Sequence, residues 1–173
     1  MARFERTHAL QRLVNMRTAT LLLYLCIFSL TWAVTQTLAF KCDVTATNLN
    51  FGNYDTMAPA PCDSTASINV ACNMPPQHPN SPLTVTISIS PGSSGSFAQR
   101  QMQSTSTDNL NYNLYSNASF STIWGDGGGS SSTQVGFVTS TTPWDATLYG
   151  RIPALQNIRA GSYSDTITVT IDF

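Results

Sequence analysis

The sequence predicts an all-β protein, a two-sheet sandwich behind a short leader, and three observations lead there. Apolar and polar residues alternate with period two in a succession of short runs, each closed by Gly, Pro or Asn. The polar part of the chain is built from Ser, Thr, Asn and Gln, with only 10% charged residues against 42% hydrophobic ones. That is the balance of an extracellular β protein rather than of a helical one. Beyond residue 33, no stretch keeps apolar residues at i, i+3, i+4 and i+7 for more than about a turn.

The leader comes first in the chain. Arg3, Arg6, Arg12 and Arg17 precede an apolar run from Thr18 to Leu30, and small residues follow at Thr31 and Ala33. This is the order of a secretory signal peptide, residues 1–33, with cleavage after Ala33 or after Ala39 and with Met16 as an alternative start. A membrane anchor fits less well, because a 13-residue run spans only about 20 Å of a ~30 Å hydrocarbon layer. The remaining 34–173 form one domain of ordinary size. That domain keeps four cations (Lys41, Arg100, Arg151, Arg159) against eight aspartates, a balance of -4. Scattered cations on an acidic surface do not neutralise a row of phosphates, which argues against nucleic acid as a partner.

Strand by strand, Val44 and Ala46 alternate in one phase and Leu49 and Phe51 in the other, so the first strand needs a slip near Thr47-Asn48. Ala66, Ile68, Val70 and Cys72 give the second, and Leu83, Val85, Ile87 and Ile89 the third, ended by Pro91-Gly92. Leu110, Tyr112 and Leu114 follow, then a candidate strand from Phe120 to Trp124 and a low-complexity Gly/Ser tract read as a loop tip or hinge. Val135 and Phe137, and then Ala146 to Ile152, form two more strands around Thr142-Pro143. The last run is the clearest: Tyr163, Ile167, Val169, Ile171 and Phe173 share one face, and Asp165 is the one polar residue on it. Seven or eight such strands predict a sandwich with Greek-key connections of the immunoglobulin type. The apolar final strand is followed by no hairpin partner, and an open strand edge invites pairing with another chain.

Cys26 belongs to the leader, leaving Cys42, Cys62 and Cys72. No C-x2-C pair is present, and the histidine outside the leader, His78, sits among prolines, so a metal site is not indicated. An antiparallel hairpin turning near Met57 to Pro61 brings Cys42 level with Cys72; Cys42 with Cys62 is the alternative pairing. Catalysis has little support: His78 lacks a nucleophile motif and the aspartates form no acid/base pair, so neither an enzymatic role nor a cofactor is expected. Asp126, in Trp124-Gly-Asp-Gly, reads as a turn residue and not a calcium ligand. Asn117-Ala-Ser119 matches a glycosylation sequon and is assigned no role. Arg151 is expected to pair with an aspartate or to stack on a ring.

Seven ordered segments carry a resemblance. They are Asn48 to Asp55, Asp63 to Cys72, Arg100-Gln-Met102, Leu110 to Tyr115, Trp124 to Gly127, Tyr149 to Ala154 and Gly161 to Ile171, and together they resemble the spore coat protein U domain family. That family includes the Csu-type pilins of archaic chaperone-usher systems. The resemblance covers residues 41–173 and implies an incomplete immunoglobulin-like β-sandwich lacking its final strand. It further implies periplasmic export, a chaperone that supplies a temporary strand, an outer-membrane usher, and neighbouring subunits joined by donor-strand complementation. On this reading Ile167, Val169, Ile171 and Phe173 line one wall of an acceptor groove, with Leu49 and Phe51 opposite.

The expected function is a structural subunit of a surface pilus, in adhesion and biofilm formation. Few residues precede Cys42 after cleavage, so only a short donor (Val34, Leu38, Phe40) is available, which suits a tip or minor subunit. Trp124 and Trp144 are candidates for adhesive loops there, or else caps of the core. The alternatives are a self-contained secreted coat or matrix protein of the same fold and a carbohydrate-binding sandwich.

Overall fold

In the computed structural model, residues 41–74, 81–105 and 108–173 are described. The expected signal peptide and short donor segment lie outside them, as does His78. The described strands are β1 (Lys41–Ala46), β2 (Cys62–Asn73), β3 (Leu83–Ile89), β4 (Arg100–Ser104), β5 (Asn109–Tyr115), β6 (Ile123–Trp124), β7 (Ser131–Ser132), β8 (Gln134–Val138), β9 (Trp144–Ile152), β10 (Tyr163–Ser164) and β11 (Val169–Asp172). The helix among the described residues is one 3-10 turn, Gly92–Ser94. The fold is all-β.

Two sheets share the strands. The larger has the order β1-β2-β9-β5-β4-β10, with β6 beside β5 and β7 beside β6, and the smaller has the order β11-β3-β8. The central pairing is β2 with β9, antiparallel from Cys62 opposite Ile152 to Val70 opposite Trp144. Alternation explains the core: Ile68, Val70 and Cys72 of β2 face Val85, Ile87 and Ile89 of β3 from the other layer, all buried. β1 lies along β2 in the register Cys42 to Cys72 and Ala46 to Ile68. The disulfide joins Cys42 to Cys72, and Cys62 stays free.

Several expectations are corrected. The first strand does not resume after a slip: it ends at Ala46, and Leu49 and Phe51 leave the sheet to lie against β9 over Gly150. The Phe120 to Trp124 strand shrinks to Ile123–Trp124, because Phe120 sits in a turn at φ 54° and the Asn117 side chain accepts from the Ser121 backbone N–H. The long final strand is two pieces. β10 pairs with β4 in the larger sheet and β11 with β3 in the smaller, so the chain changes sheets between Asp165 and Thr168. β4 was not foreseen. Its inward positions are Arg100, Met102 and Ser104, which break the apolar alternation that marks a strand.

Candidate functional site

The two sheets leave an open cleft where β1 ends one and β11 ends the other. Among the described residues, β1 pairs only with β2 and β11 only with β3, so each has one edge without a strand partner. Leu49 and Phe51 from the β1 side and Ile167 and Val169 from the β11 side line one cavity of about 360 Å³. Its floor is core: Ile68, Ile89, Tyr112 and Leu114, all buried, with Ala66 and Leu148 beside them. The wall residues Leu49, Phe51, Ile167 and Val169 are only half-buried, and Ala46, directly opposite buried Ile68, is exposed. A second cavity of about 660 Å³ continues past Leu49, Phe51, Met102 and Tyr163, between the 50–56 and 158–162 loops.

Backbone shape sets the walls. At Gly150, a Cβ would lie 2.5 Å from Leu49 Cδ2 and 2.7 Å from Phe51 Cζ, so only glycine lets that segment rest on β9. Phe51 also meets Tyr112 edge to face, with ring centroids 6.1 Å apart. Tyr54 ties the same loop down, donating to the Pro153 carbonyl at 2.8 Å and accepting from the Gln156 N–H at 2.9 Å. The opposite wall is fixed at the sheet change. Asp165 Oδ1 accepts from the Ser93 N–H at 3.0 Å and the Thr166 N–H at 2.8 Å, and Oδ2 accepts from the Tyr112 hydroxyl at 2.7 Å. Gly92, at φ 73°, passes so near that a Cβ there would overlap the Asp165 carboxylate. The Tyr112 hydroxyl is held well above its ordinary pKa, first by burial and then by its hydrogen bond to Asp165.

Behind the floor lies a buried cation whose role no local sequence pattern reveals. Arg100 is fully buried and spends its guanidinium on neutral acceptors. Nη1 donates to Asn113 Oδ1 at 2.7 Å, Nη2 to the Trp124 carbonyl at 2.8 Å, and Nε and Nη2 to the Ser90 carbonyl at 3.2 and 2.9 Å. Burial lowers its pKa, while Tyr112 and Asp165 act against that shift. The bonds cross from β4 to the end of β3 and so pin the two sheets together behind the cleft. A cationic residue inside an otherwise ordinary strand segment was the one available signal.

Four of the six groove residues named from the sequence, Leu49, Phe51, Ile167 and Val169, come together at the cavity. The other two do not line it: Ile171 is half-buried opposite Ile87, and Phe173 lies past the end of β11 with 59% of its surface exposed. Neither candidate adhesive tryptophan lies in a loop: Trp124 is in β6 and Trp144 opens β9. Trp124 has no exposed surface and donates Nε1–H to the Ile87 carbonyl at 3.1 Å. Trp144 is half-buried in β9, its ring seated where a Cβ on Gly136 would be. Arg151 does both things expected of it, pairing with Asp63 at 2.7 Å and stacking 3.6 Å above the Phe120 ring. Asp126 is an exposed turn residue whose carboxylate accepts from the Gly128 N–H at 2.7 Å.

An unfinished apolar cleft between two sheet edges fits the comparisons with known proteins. The sequence model of the Spore Coat Protein U domain matches residues 29–170. This chain belongs to that family. Protein U of Myxococcus xanthus is 32% identical over 136 residues, which cover 72% of this chain and 71% of the relative. Among solved structures, this chain is similar to one in the CsuC-CsuE chaperone-tip adhesion subunit pre-assembly complex from the archaic chaperone-usher Csu pili of Acinetobacter baumannii. That match has a TM-score of 0.54 and 27% identity, covering 78% of this chain. The chain spans 40% of the length of the matched Csu chain.

Proposed function

We propose that this chain is a structural, non-enzymatic subunit of a chaperone-usher surface pilus, exported through the periplasm, whose cleft is completed by a β-strand from another chain. The observation that carries the reading is the apolar cavity with Leu49 and Phe51 on one wall and Ile167 and Val169 on the other, beside strand edges with no partner among the described residues. An inserted strand would bury these side chains, each contributing ~1.5 to 3 kcal/mol, and would satisfy the edge backbone groups. The first donor is a periplasmic chaperone and the second a neighbouring subunit received at the outer-membrane usher; the likeness to a chain from a chaperone-tip subunit complex supports this order. The same likeness supports a place at or near the fibre tip, with a part in adhesion and biofilm formation.

The test is to produce the exported chain with and without a pilus chaperone and usher. The expected result is soluble chain only as a chaperone complex, with Ile167→Arg and Leu49→Arg both preventing complex formation. A chain that is monomeric and melts cooperatively without any partner would overturn the reading and leave the self-contained coat protein in its place.

A further inference from the structure

Natural sheets protect exposed edges by making them short, charged, or interrupted by proline. Among the described residues the free edges β1, β7, β10 and β11 follow that rule. β1 carries the exposed Lys41–Asp43 ion pair at 3.3 Å, β10 is two residues long, and β11 ends on exposed Asp172. β8 is the exception. It runs for five residues as Gln-Val-Gly-Phe-Val, with no charge and no proline, and threonines flank it at 133 and 139. It pairs with β3 on one side, and among the described residues no strand pairs with its other side.

The outward face of β8 is also its apolar face. Val135 is 57% exposed and Phe137 64% exposed, both among the exposed large apolar residues described. The inward face is already filled: Gly136 is buried, and the Trp144 ring occupies the space a Cβ would need. Trp144 thereby stiffens the strand from within and leaves only its edge and outer face for contact.

We propose that β8 is a self-association edge that pairs antiparallel with β8 of a second copy of this chain. The strand is self-complementary. With Gly136 opposite Gly136, Val135 of each copy stands beside Phe137 of the other, giving two aromatic to β-branched cross-strand pairs on one face. Two three-stranded sheets become one six-stranded sheet across a two-fold axis. The absence of charge matters for this occupant in particular. Two copies of an acidic domain repel across most of their surfaces, and β8 is the longest free edge among the described residues where they meet no like charge. A five-residue pairing is small, so the dimer is weak and concentration-dependent. It is independent of whatever fills the cleft, which lies beyond β11 at the other edge of this sheet.

The test uses the full chain recovered from the periplasm, alone or bound to its chaperone. Sedimentation velocity at rising concentration is expected to show a monomer–dimer equilibrium that Phe137→Lys abolishes, with the melting curve unchanged because residue 137 is exposed. In a Cys62→Ser background, Val135→Cys and Phe137→Cys chains are then oxidised separately and as a mixture. The expected result is a covalent dimer several-fold more abundant in the mixture than in either chain alone, since residue 135 faces residue 137. No dimer at any concentration, a dimer that survives Phe137→Lys, or equal cross-linking in the three samples would each overturn the proposal. None of these outcomes bears on strand acceptance in the cleft, which is read from chaperone binding.

Discussion

The Tyr112 hydroxyl donates to Asp165 Oδ2 at 2.7 Å, which places a fully partnered carboxylate in the wall of an otherwise apolar cleft. The bond joins β5 of the larger sheet to the segment where the chain leaves that sheet for the smaller one. It therefore holds the cleft at its width. Tyr112→Phe removes one hydrogen bond to a charged acceptor and is expected to cost about 1.5 to 3 kcal/mol in urea denaturation near neutral pH. It should also weaken chaperone binding.

The same pair sets a pH dependence. Tyr112 is raised above its ordinary value of 10.0, by burial first and by Asp165 second. The unfolded chain then releases the Tyr112 proton at a lower pH than the folded one does. The stability from this site is complete below about pH 10 and is lost as pH climbs above it. Denaturation midpoints followed from neutral to about pH 11 should fall more steeply for the unaltered chain than for Tyr112→Phe, and equal slopes would contradict the assignment.

Arg100→Met is expected to be among the most damaging substitutions. It takes the guanidinium donor from the Ser90 and Trp124 carbonyls inside the core and leaves Asn113 Oδ1 only the Leu114 N–H. A loss of about 3 to 5 kcal/mol is expected, as for the breaking of other buried charged networks. Arg100→Lys keeps the charge and loses the fork, so it should recover only part of that loss. A double-mutant cycle with Asn113→Ala measures how much of the effect passes through the 2.7 Å bond.

Gly150→Ala tests the other wall. The added methyl group would meet Leu49 and Phe51 at 2.5 and 2.7 Å, and the segment must lift from β9 to admit it. Overpacking of this kind costs about 1 to 3 kcal/mol. Chaperone binding should fall further than stability does, because the displaced side chains are the ones that line the cavity.

Replacing both Cys42 and Cys72 by Ser opens a bridge between residues 30 apart in sequence. The expected loss is about 3 to 4 kcal/mol from the unfolded-chain entropy that the bridge removes. Thiol titration of the unfolded, unreduced protein should find Cys62 free and not Cys42 or Cys72.

The sequence disclosed the parts of the fold whose side chains alternate cleanly. β3, with Val85, Ile87 and Ile89 inward and Thr84, Thr86 and Ser88 outward, is legible because one face is core and the other is not. Two of the four wall residues, Ile167 and Val169, were legible for the same reason, although the strand they were assigned to is divided. Asp165 already interrupted that apolar face, and an interruption of this kind marks the place where a strand changes sheets. β4 was hidden because its first inward residue is Arg100, whose burial depends on acceptors contributed by Ser90, Asn113 and Trp124. Trp124 reads equally as a loop residue or as a core cap, because it adjoins a glycine-rich tract that suggests a loop. In the structure that tract turns back, with the Gly125 N–H bonded to the Ser132 carbonyl, and leaves the indole inside. No pattern local to Trp124 carries that information.

Residues 163–172 serve both layers in turn. At the change, the Ser90 N–H donates to the Thr168 carbonyl and the Thr168 N–H to the Ser90 hydroxyl, both at 2.9 Å. The segment is in effect a stitch through the fabric: neither layer can slide along the other without first unpicking it. In the proposed fibre, tension arriving at β11 from a strand seated in the cleft would be passed through Thr168 and Asp165 into β4, and both layers would bear it together.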